Sequence, residues 1–264
     1  MAIGVVVHGA AGRMGTEVLS ALCRDQETKA VGAVDVAAKQ DALSLPGNSG
    51  SIPYSTDLQS ILDRCRPDVM VDFSIRDAAM PAVRIAAKKG VSLVIGTTGL
   101  SEEDGKEIEA LCYSSNIGAI IAPNFCLGAV LMTHLAALAA RYFDTVEVIE
   151  KHHDGKADAP SGTAMATAQA MIEGRGKPFK YPALEKETLR GTRGGETSGI
   201  AIHSVRLPGL LAHQEVIFGA PGQTLTIRQD SISRESFMPG VLMAVKEVAR
   251  RKGFTYGLEG ILGL

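Results

Sequence analysis

Apolar runs too short for helices, separated by helix-length segments, predict that the first half of this 264-residue chain is α/β. Those runs show no polar alternation, the mark of a parallel sheet covered on both faces. Right-handed crossovers then make the sheet doubly wound. After Phe143 the pattern changes to strand-like runs that follow one another closely without helices between them. That spacing predicts a smaller α+β domain with a mixed, mostly antiparallel sheet. The expected first domain is 1–126, completed by the C-terminal segment 237–264; the second is 127–236.

Taken in order, "AIGVVVHG" is a continuous apolar strand, and "RMGTEVLSALC" follows with helical spacing. "KAVGAVD" is a second strand, "DLQSILDRC" a helix and "PDVMVDFS" a third strand. "RDAAMPAVRIAAKKG" reads as a helix ending at Gly90, with lysines near its C-terminus where the helix dipole favours them. "VSLVIGTTG" is a strand, and Ser101 with an acid three residues on opens a helix by a capping box. Between Ile117 and Ala140 no residue is charged. A membrane span needs ~20 apolar residues, but Pro123-Asn124 breaks this run and His134 interrupts it, so a strand (118–122) and a buried helix (about 127–142) are expected instead. "TVEVIEKHH" alternates as a half-buried strand, "GTAMATAQAMI" is a helix, and a polar, Gly-rich stretch runs from Glu173 to Gly199. "GIAIHSVRL", "HQEVIFGA" and "QTLTIRQDS" are three further strands, the last two joined by a "GAPGQ" turn. A final helix spans about 237–251.

Composition excludes several functions. A net charge of −2 with scattered Lys and Arg gives no nucleic-acid stripe or polybasic membrane patch. Trp is absent and aromatics are 5%, which leaves no base-stacking platform. Cys23, Cys65, Cys112 and Cys126 form neither a C-x-x-C pair nor a Cys/His cluster, so no metal site and no disulfide framework is expected. Free thiols and the lack of a basic n-region before the first apolar run point to the cytoplasm.

"GAAGRMG", Gly9 to Gly15, lies between the first strand and the first helix. Such a turn lets backbone N–H groups approach a pyrophosphate at the positive end of a helix. The spacing is G-x-x-G-x-x-G rather than G-x-G-x-x-G, and a tight turn without ligand would look the same. Asp35, at the end of the second strand about twenty residues on, stands where an acid accepts ribose hydroxyls and favours the Rossmann-like reading. Its carboxylate favours the 2′-hydroxyl of NADH and repels a 2′-phosphate. Val36, Ala37 and Ala38 supply no cation, although Lys39 and Arg13 are near in sequence. NADH preference with some NADPH use is therefore expected. "DFS" (Asp72–Ser74), "GTTG" (Gly96–Gly99) and "APNF" (Ala122–Phe125) fall at strand C-terminal ends, where open α/β sheets bind ligands. His8, a polar residue at the end of the first strand, has no assigned role.

The densest chemistry is in "EKHHDGKADAPSGTA", Glu150 to Ala164. His152 and His153 end a strand, so their side chains should diverge. Histidine suits proton donation near neutral pH, and Lys156 offers a cation or a second proton donor. Adjacent histidines on opposite faces make poor ligands for one metal ion. Ser161, Gly162 and Thr163 put hydroxyls and backbone N–H groups at a helix start, either as an anion cradle or as a plain N-cap.

"EVIEKHHDGKADAPSGTA" (Glu147–Ala164) resembles the signature of the dihydrodipicolinate reductase family, also called 4-hydroxy-tetrahydrodipicolinate reductases. "GAAGRMG", "GTTG", "APNF", "HSVRLPGLLAHQEVIFG" and "RESFMPGV" fit in order, so the resemblance covers essentially the whole chain. It implies a cytoplasmic homotetramer on the diaminopimelate route to lysine. It implies reduction of 4-hydroxy-tetrahydrodipicolinate to tetrahydrodipicolinate, with loss of water and hydride from NADH or NADPH. By that match His152 is the general acid and Lys156 a second proton donor, and His153, Gly162 and Thr163 hold the substrate carboxylates. Gly9, Ala10, Ala11, Gly12, Arg13, Met14, Asp35, Gly96, Thr97, Thr98, Ala122, Pro123, Asn124 and Phe125 contact the cofactor. Relatives with an Arg after the ribose acid use it for the NADPH phosphate; Val36 stands at that place here. The two domains are expected to close over the ligands. Two rival readings remain: a semialdehyde dehydrogenase with Cys126 as nucleophile, and a non-enzymatic NAD-sensing regulator, for which no basic recognition helix is present.

Overall fold

A computed structural model describes residues 2–264; Met1, assigned to the first domain on sequence, lies outside the described residues. In chain order the elements begin with β1 (Ile3–His8), α1 (Arg13–Arg24), β2 (Thr28–Val34), β3 (Ala42–Ser44), β4 (Ser51–Ser55), α2 (Leu58–Cys65) and β5 (Val69–Asp72). They continue with α3 (Arg76–Lys88), β6 (Ser92–Ile95), α4 (Glu102–Ser114), β7 (Gly118–Ile121), α5 (Leu127–Ala139), β8 (Thr145–His152) and α6 (Gly162–Arg175). The last are β9 (Gly195–Thr197), β10 (Ile200–Arg206), β11 (Ala212–Ala220), β12 (Gln223–Ser231), α7 (Met238–Arg250), β13 (Gly253–Tyr256) and α8 (Glu259–Leu262). The chain divides into two compact units, one made of residues up to Phe125 together with Phe237–Leu264, the other of Cys126–Ser236.

The first unit carries an eight-stranded sheet in the order β13-β7-β6-β5-β1-β2-β4-β3, parallel except for the β3–β4 pair. Its central strands explain the absence of alternation: all four residues of β5, β6 and β7 are buried. The core on one face joins Met70, Leu93 and Ile95 to Val83, Ile108 and Cys112 from the covering helices. The strand end of β1 lies between β2 and β5, with His8 in register with Val34 on one side and Asp72 on the other. β3, β4 and β13 have no counterpart in the sequence reading. β3 and β13 are short edge strands, and Pro53 inside β4 masks it, since proline removes a ladder donor.

The second unit carries a five-stranded sheet in the order β12-β11-β8-β10-β9, in which only β8–β10 is parallel. β8 alternates as expected: Val146, Val148 and Glu150 are buried, while the residues between them are half-exposed. The buried face packs with Ala136, Ala164, Ala168 and Met171 of α5 and α6. The charge-free segment resolves into β7, a turn and α5, with α5 ending at Ala139. Among the described residues no helix is long and apolar enough to cross a membrane.

The capping box expected at α4 is complete. Ser101 Oγ accepts from Asp104 N at 3.2 Å, and Asp104 Oδ2 accepts from Ser101 N at 2.8 Å. Arg76 then clamps the same carboxylate at 2.5 and 2.8 Å, tying α3 to α4. The Arg76 hydrogen bonds hold the Asp104 pKa down at about 2. Replacing Ser101 by Ala is expected to lower stability by about 1 kcal/mol in urea denaturation; an unchanged midpoint would show that Arg76 alone secures this helix start.

Candidate active site

In the first unit the glycines of the loop divide between closing the turn and leaving it open. Gly9 has φ +79°, and a Cβ there would lie 2.6 Å from Phe73 O. A Cβ at Gly15 would lie 2.7 Å from Ala10 Cα. These two glycines are needed for the tight turn itself. A Cβ at Gly12 would meet only Gly9 O, at 3.2 Å, so the outer side of the loop at that position is open. The amides of Gly9 and Ala10 are spent on Val34 O, and that of Gly12 on Gly9 O. The amides of Arg13 and Met14 stand in the first turn of α1, whose N–H groups lack an intrahelical partner and suit an anion.

Asp35 is held at the loop by Ala11 N on Oδ2 and Ala37 N on Oδ1, both at 2.9 Å. Val36 beside it is 92% exposed and offers no cation. The other strand-end candidates divide between wall and framework. Thr98 and Pro123 line a cavity of about 500 Å³ with Thr97, Ala122, Phe254 and Tyr256. Thr97 is buried and donates its hydroxyl inward to Asp72 Oδ2 at 2.6 Å. Gly96 lies against the ring of Phe73, where a Cβ would collide. Phe125 is buried edge-on to that ring, with centroids 5.6 Å apart. Asn124 stands half-buried in the same turn.

In the second unit one fully buried carboxylate organises the site. Glu150 follows the inward alternation of β8, so it shares a face with His152 two residues on. Glu150 Oε2 lies 2.5 Å from His152 Nδ1. Arg206, at the end of β10 and in register with His152, donates to Oε1 and Oε2 at 2.8 and 2.9 Å. Ser161 N donates to Oε1 at 3.3 Å, and Arg206 also donates to Asp158 O at 2.7 Å. Thus strand end, loop and helix start converge on Glu150.

The charges are set by that arrangement. Burial pushes the Glu150 pKa up, but hydrogen bonds from Arg206, Ser204 and His152 outweigh it and leave the carboxyl below its ordinary range. An ionised Glu150 only accepts, so Nδ1 of His152 carries the proton. Burial lowers the His152 pKa; Glu150 opposes this, Lys156 and Arg206 add to it, and the net shift is downward. At neutral pH the resting ring is therefore neutral, with its lone pair on Nε2. Two negative charges brought beside it would favour the protonated form.

The remaining predicted residues surround this hub. His153 lies just beyond β8, folded toward Gly155, where a Cβ would be 3.4 Å from His153 Nδ1. Lys156 Nζ donates to Asp158 Oδ1 at 2.6 Å. Asp158 is 56% exposed, so this pair is weak and exchangeable for another carboxylate. Ser161 is the N-cap of α6: its buried hydroxyl accepts from Ala164 N at 3.1 Å. Gly162 follows in open space, with nothing within 4 Å of an added Cβ, and Thr163 stands half-buried after it. A cation, an imidazole and an unobstructed helix start thus adjoin, a set suited to a small dicarboxylate. Cys126 is buried, with Sγ 3.4 Å from Gln229 Nε2 and 3.5 Å from Ser231 Oγ, which does not present a nucleophile to a substrate.

Sequence reading missed Glu150 and Arg206 as site residues. The Glu-x-His spacing on an alternating strand is a signal for the first. Nothing short of sheet register identifies Arg206.

Comparison with known proteins follows the same division. The family described as dihydrodipicolinate reductase, N-terminus, matches residues 3–125, and its C-terminus counterpart matches 128–262. A 4-hydroxy-tetrahydrodipicolinate reductase of Dehalococcoides mccartyi is 59% identical over 262 residues, 99% of each chain. One from Bacillus subtilis is 47% identical over 98% of each. The structure of a dipicolinate-bound dihydrodipicolinate reductase from Paenisporosarcina sp. TG-14 superimposes with TM-score 0.88 and 42% identity, covering 99% of this chain and 100% of that one.

Removing one member of a buried ion pair leaves the other uncompensated. Glu150→Gln is expected to destabilise the protein by ~3–5 kcal/mol in denaturant titration, with partial recovery in Glu150→Gln/Arg206→Met. A single variant as stable as wild type would show that the two groups are not coupled.

Proposed function

The chain belongs to the dihydrodipicolinate reductase family, and on that premise we propose that it reduces 4-hydroxy-tetrahydrodipicolinate to tetrahydrodipicolinate, using NADH in preference to NADPH. The observation that carries this reading is the hub at Glu150: an imidazole with a fixed tautomer beside a lysine and an open helix start. The same proposal includes a cytoplasmic homotetramer on the diaminopimelate route to lysine, which the family resemblance supports.

The chemistry requires loss of a hydroxyl as water, hydride transfer to the ring, and one proton. When bound, the reduced nicotinamide supplies the hydride. The residues fit such a group: Gly12 leaves the loop open, the amides of Arg13 and Met14 would meet the pyrophosphate, and Asp35 would accept from the ribose. Val36 in place of a cation disfavours a 2′-phosphate. In the second unit Lys156 would exchange Asp158 for one substrate carboxylate, while Gly162 and Thr163 receive a carboxylate at the start of α6. His153, which the family resemblance makes a carboxylate ligand, would join them.

Substrate negative charge draws a proton onto His152, because it offsets the desolvation that keeps the resting ring neutral. His152 then returns that proton to the ring position where charge gathers as reduction proceeds. Glu150 holds Nδ1, so Nε2 is the delivering atom. A positioned acid of this kind contributes typically ~10²–10⁴-fold. Fixing both carboxylates limits the orientations the ring can adopt.

Two measurements test this. With enzymatically generated 4-hydroxy-tetrahydrodipicolinate, nicotinamide absorbance should fall with either cofactor, with higher kcat/KM for NADH; a strong NADPH preference contradicts the role given to Asp35 and Val36. His152→Gln should lower kcat by about 10²-fold or more with NADH binding intact, whereas near-normal turnover removes His152 from the mechanism. The pH dependence has a definite sign. Because His152 is shifted below its usual value near 6.5, kcat/KM should decline with rising pH from below that value. That limb should vanish in His152→Gln.

A further inference from the structure

His8 is the polar strand-end residue without a role in the chemistry above, and Asp72 is a fully buried carboxylate that the mechanism does not use. They are register partners on adjacent parallel strands, β1 and β5. His8 Nδ1 lies 2.5 Å from Asp72 Oδ1. The same oxygen accepts from Ser74 Oγ at 2.8 Å, and Oδ2 accepts from Thr97 Oγ1 at 2.6 Å. Thr97 Oγ1 in turn accepts from Ser74 N at 2.9 Å. One carboxylate thus binds the exits of β1, β5 and β6.

Those exits are the ones that lead into the glycine loop and the "GTTG" turn. The loop is seated on the same tripeptide a second time. Phe73 N donates to His8 O at 3.1 Å, and Gly9 packs on Phe73 O so closely that a Cβ would lie 2.6 Å from it. Phe73 also fills the space over Gly96 and meets Phe125. A shift of Asp72–Phe73–Ser74 would therefore move both loops together. A buried carboxylate stays in place only while its acceptor positions are filled, and His8 fills the one on the glycine-loop side.

We propose that His8 is a positioning residue for the dinucleotide: acting through Asp72, it holds the glycine loop in register with the β6 turn and so sets nucleotide affinity without touching the nucleotide. The proposal rests on the cofactor reading given above. Its signature is a split between binding and turnover, because the residue lies outside the proton-delivery site. Asn at position 8 retains a side-chain N–H donor, whereas Ala does not.

The test measures NADH dissociation constants calorimetrically, with KM for NADH and kcat, for wild type, His8→Ala, His8→Asn and the double variant His8→Ala/Asp72→Asn. The double variant removes the buried carboxylate as well and remains informative if His8→Ala folds poorly. His8→Ala, or the double variant in its place, should weaken NADH binding and raise its KM by about tenfold, equivalent to one well-placed hydrogen bond. The kcat at saturating NADH should stay within about twofold, and His8→Asn should bind within about twofold of wild type. Unchanged NADH affinity in the Ala variants, or equal losses in kcat and in affinity, overturns the positioning role while leaving the cofactor assignment intact. Failure of wild type itself to bind NADH or NADPH overturns the cofactor reading instead.

Discussion

A carboxylate with no exposed surface is costly unless every acceptor position is used, and Glu150 satisfies that condition with three different structural elements. Arg206 brings β10, Ser161 N brings the start of α6, and His152 brings the end of β8. The geometry of the site follows from this single requirement. If Glu150 is to stay ionised inside the second unit, the helix start, the loop through Asp158 and the imidazole must all be where they are. The imidazole's tautomer follows as well, since an ionised acid leaves Nδ1 only the role of donor. The candidate site is thus preorganised by electrostatics within the folded unit, and on the proposed function what substrate adds is negative charge.

The first unit uses the same device for a different end. Asp72 also sits at a strand end, fully buried, with a histidine Nδ1 at 2.5 Å. Its other partners are hydroxyls rather than a guanidinium. One hub ties together strand exits at the C-terminal edge of a parallel sheet; the other fixes the tautomer of an imidazole. In both, sheet register brings the histidine and acid within reach, by adjacent strands in one case and by period-two alternation along one strand in the other.

The division of the sequence into apolar runs and helical segments was enough to read the parallel sheet, because β5, β6 and β7 are buried on both faces and tolerate no polar alternation. It was not enough for β3 and β13, at the two edges of the sheet, or for β4, which Pro53 interrupts. The chemistry of "EKHHDGKADAPSGTA" was legible as residue types, and the family resemblance supplied roles. The capping role of Ser161 was open on sequence and is plain once its hydroxyl is seen on Ala164 N. Arg206 could not be read in advance, since its partnership with Glu150 spans 56 residues and depends on the parallel β8–β10 pairing. Thr97 shows the reverse limit. Its place in a loop motif suggests a hydroxyl offered to a ligand, but the hydroxyl points inward to a buried acid that only the fold reveals.

The most direct test of this account is the protonation state of the His152 ring, read by ¹⁵N NMR of the imidazole nitrogens. At neutral pH the free protein should show a neutral ring with the proton on Nδ1. Addition of a stable planar dicarboxylate, pyridine-2,6-dicarboxylate, should convert it to the doubly protonated form, with uptake of a proton from buffer. A resting ring protonated on Nε2, or a ring unchanged on saturation with the dicarboxylate, would contradict the claim that Glu150 presets His152 to receive and deliver the proton.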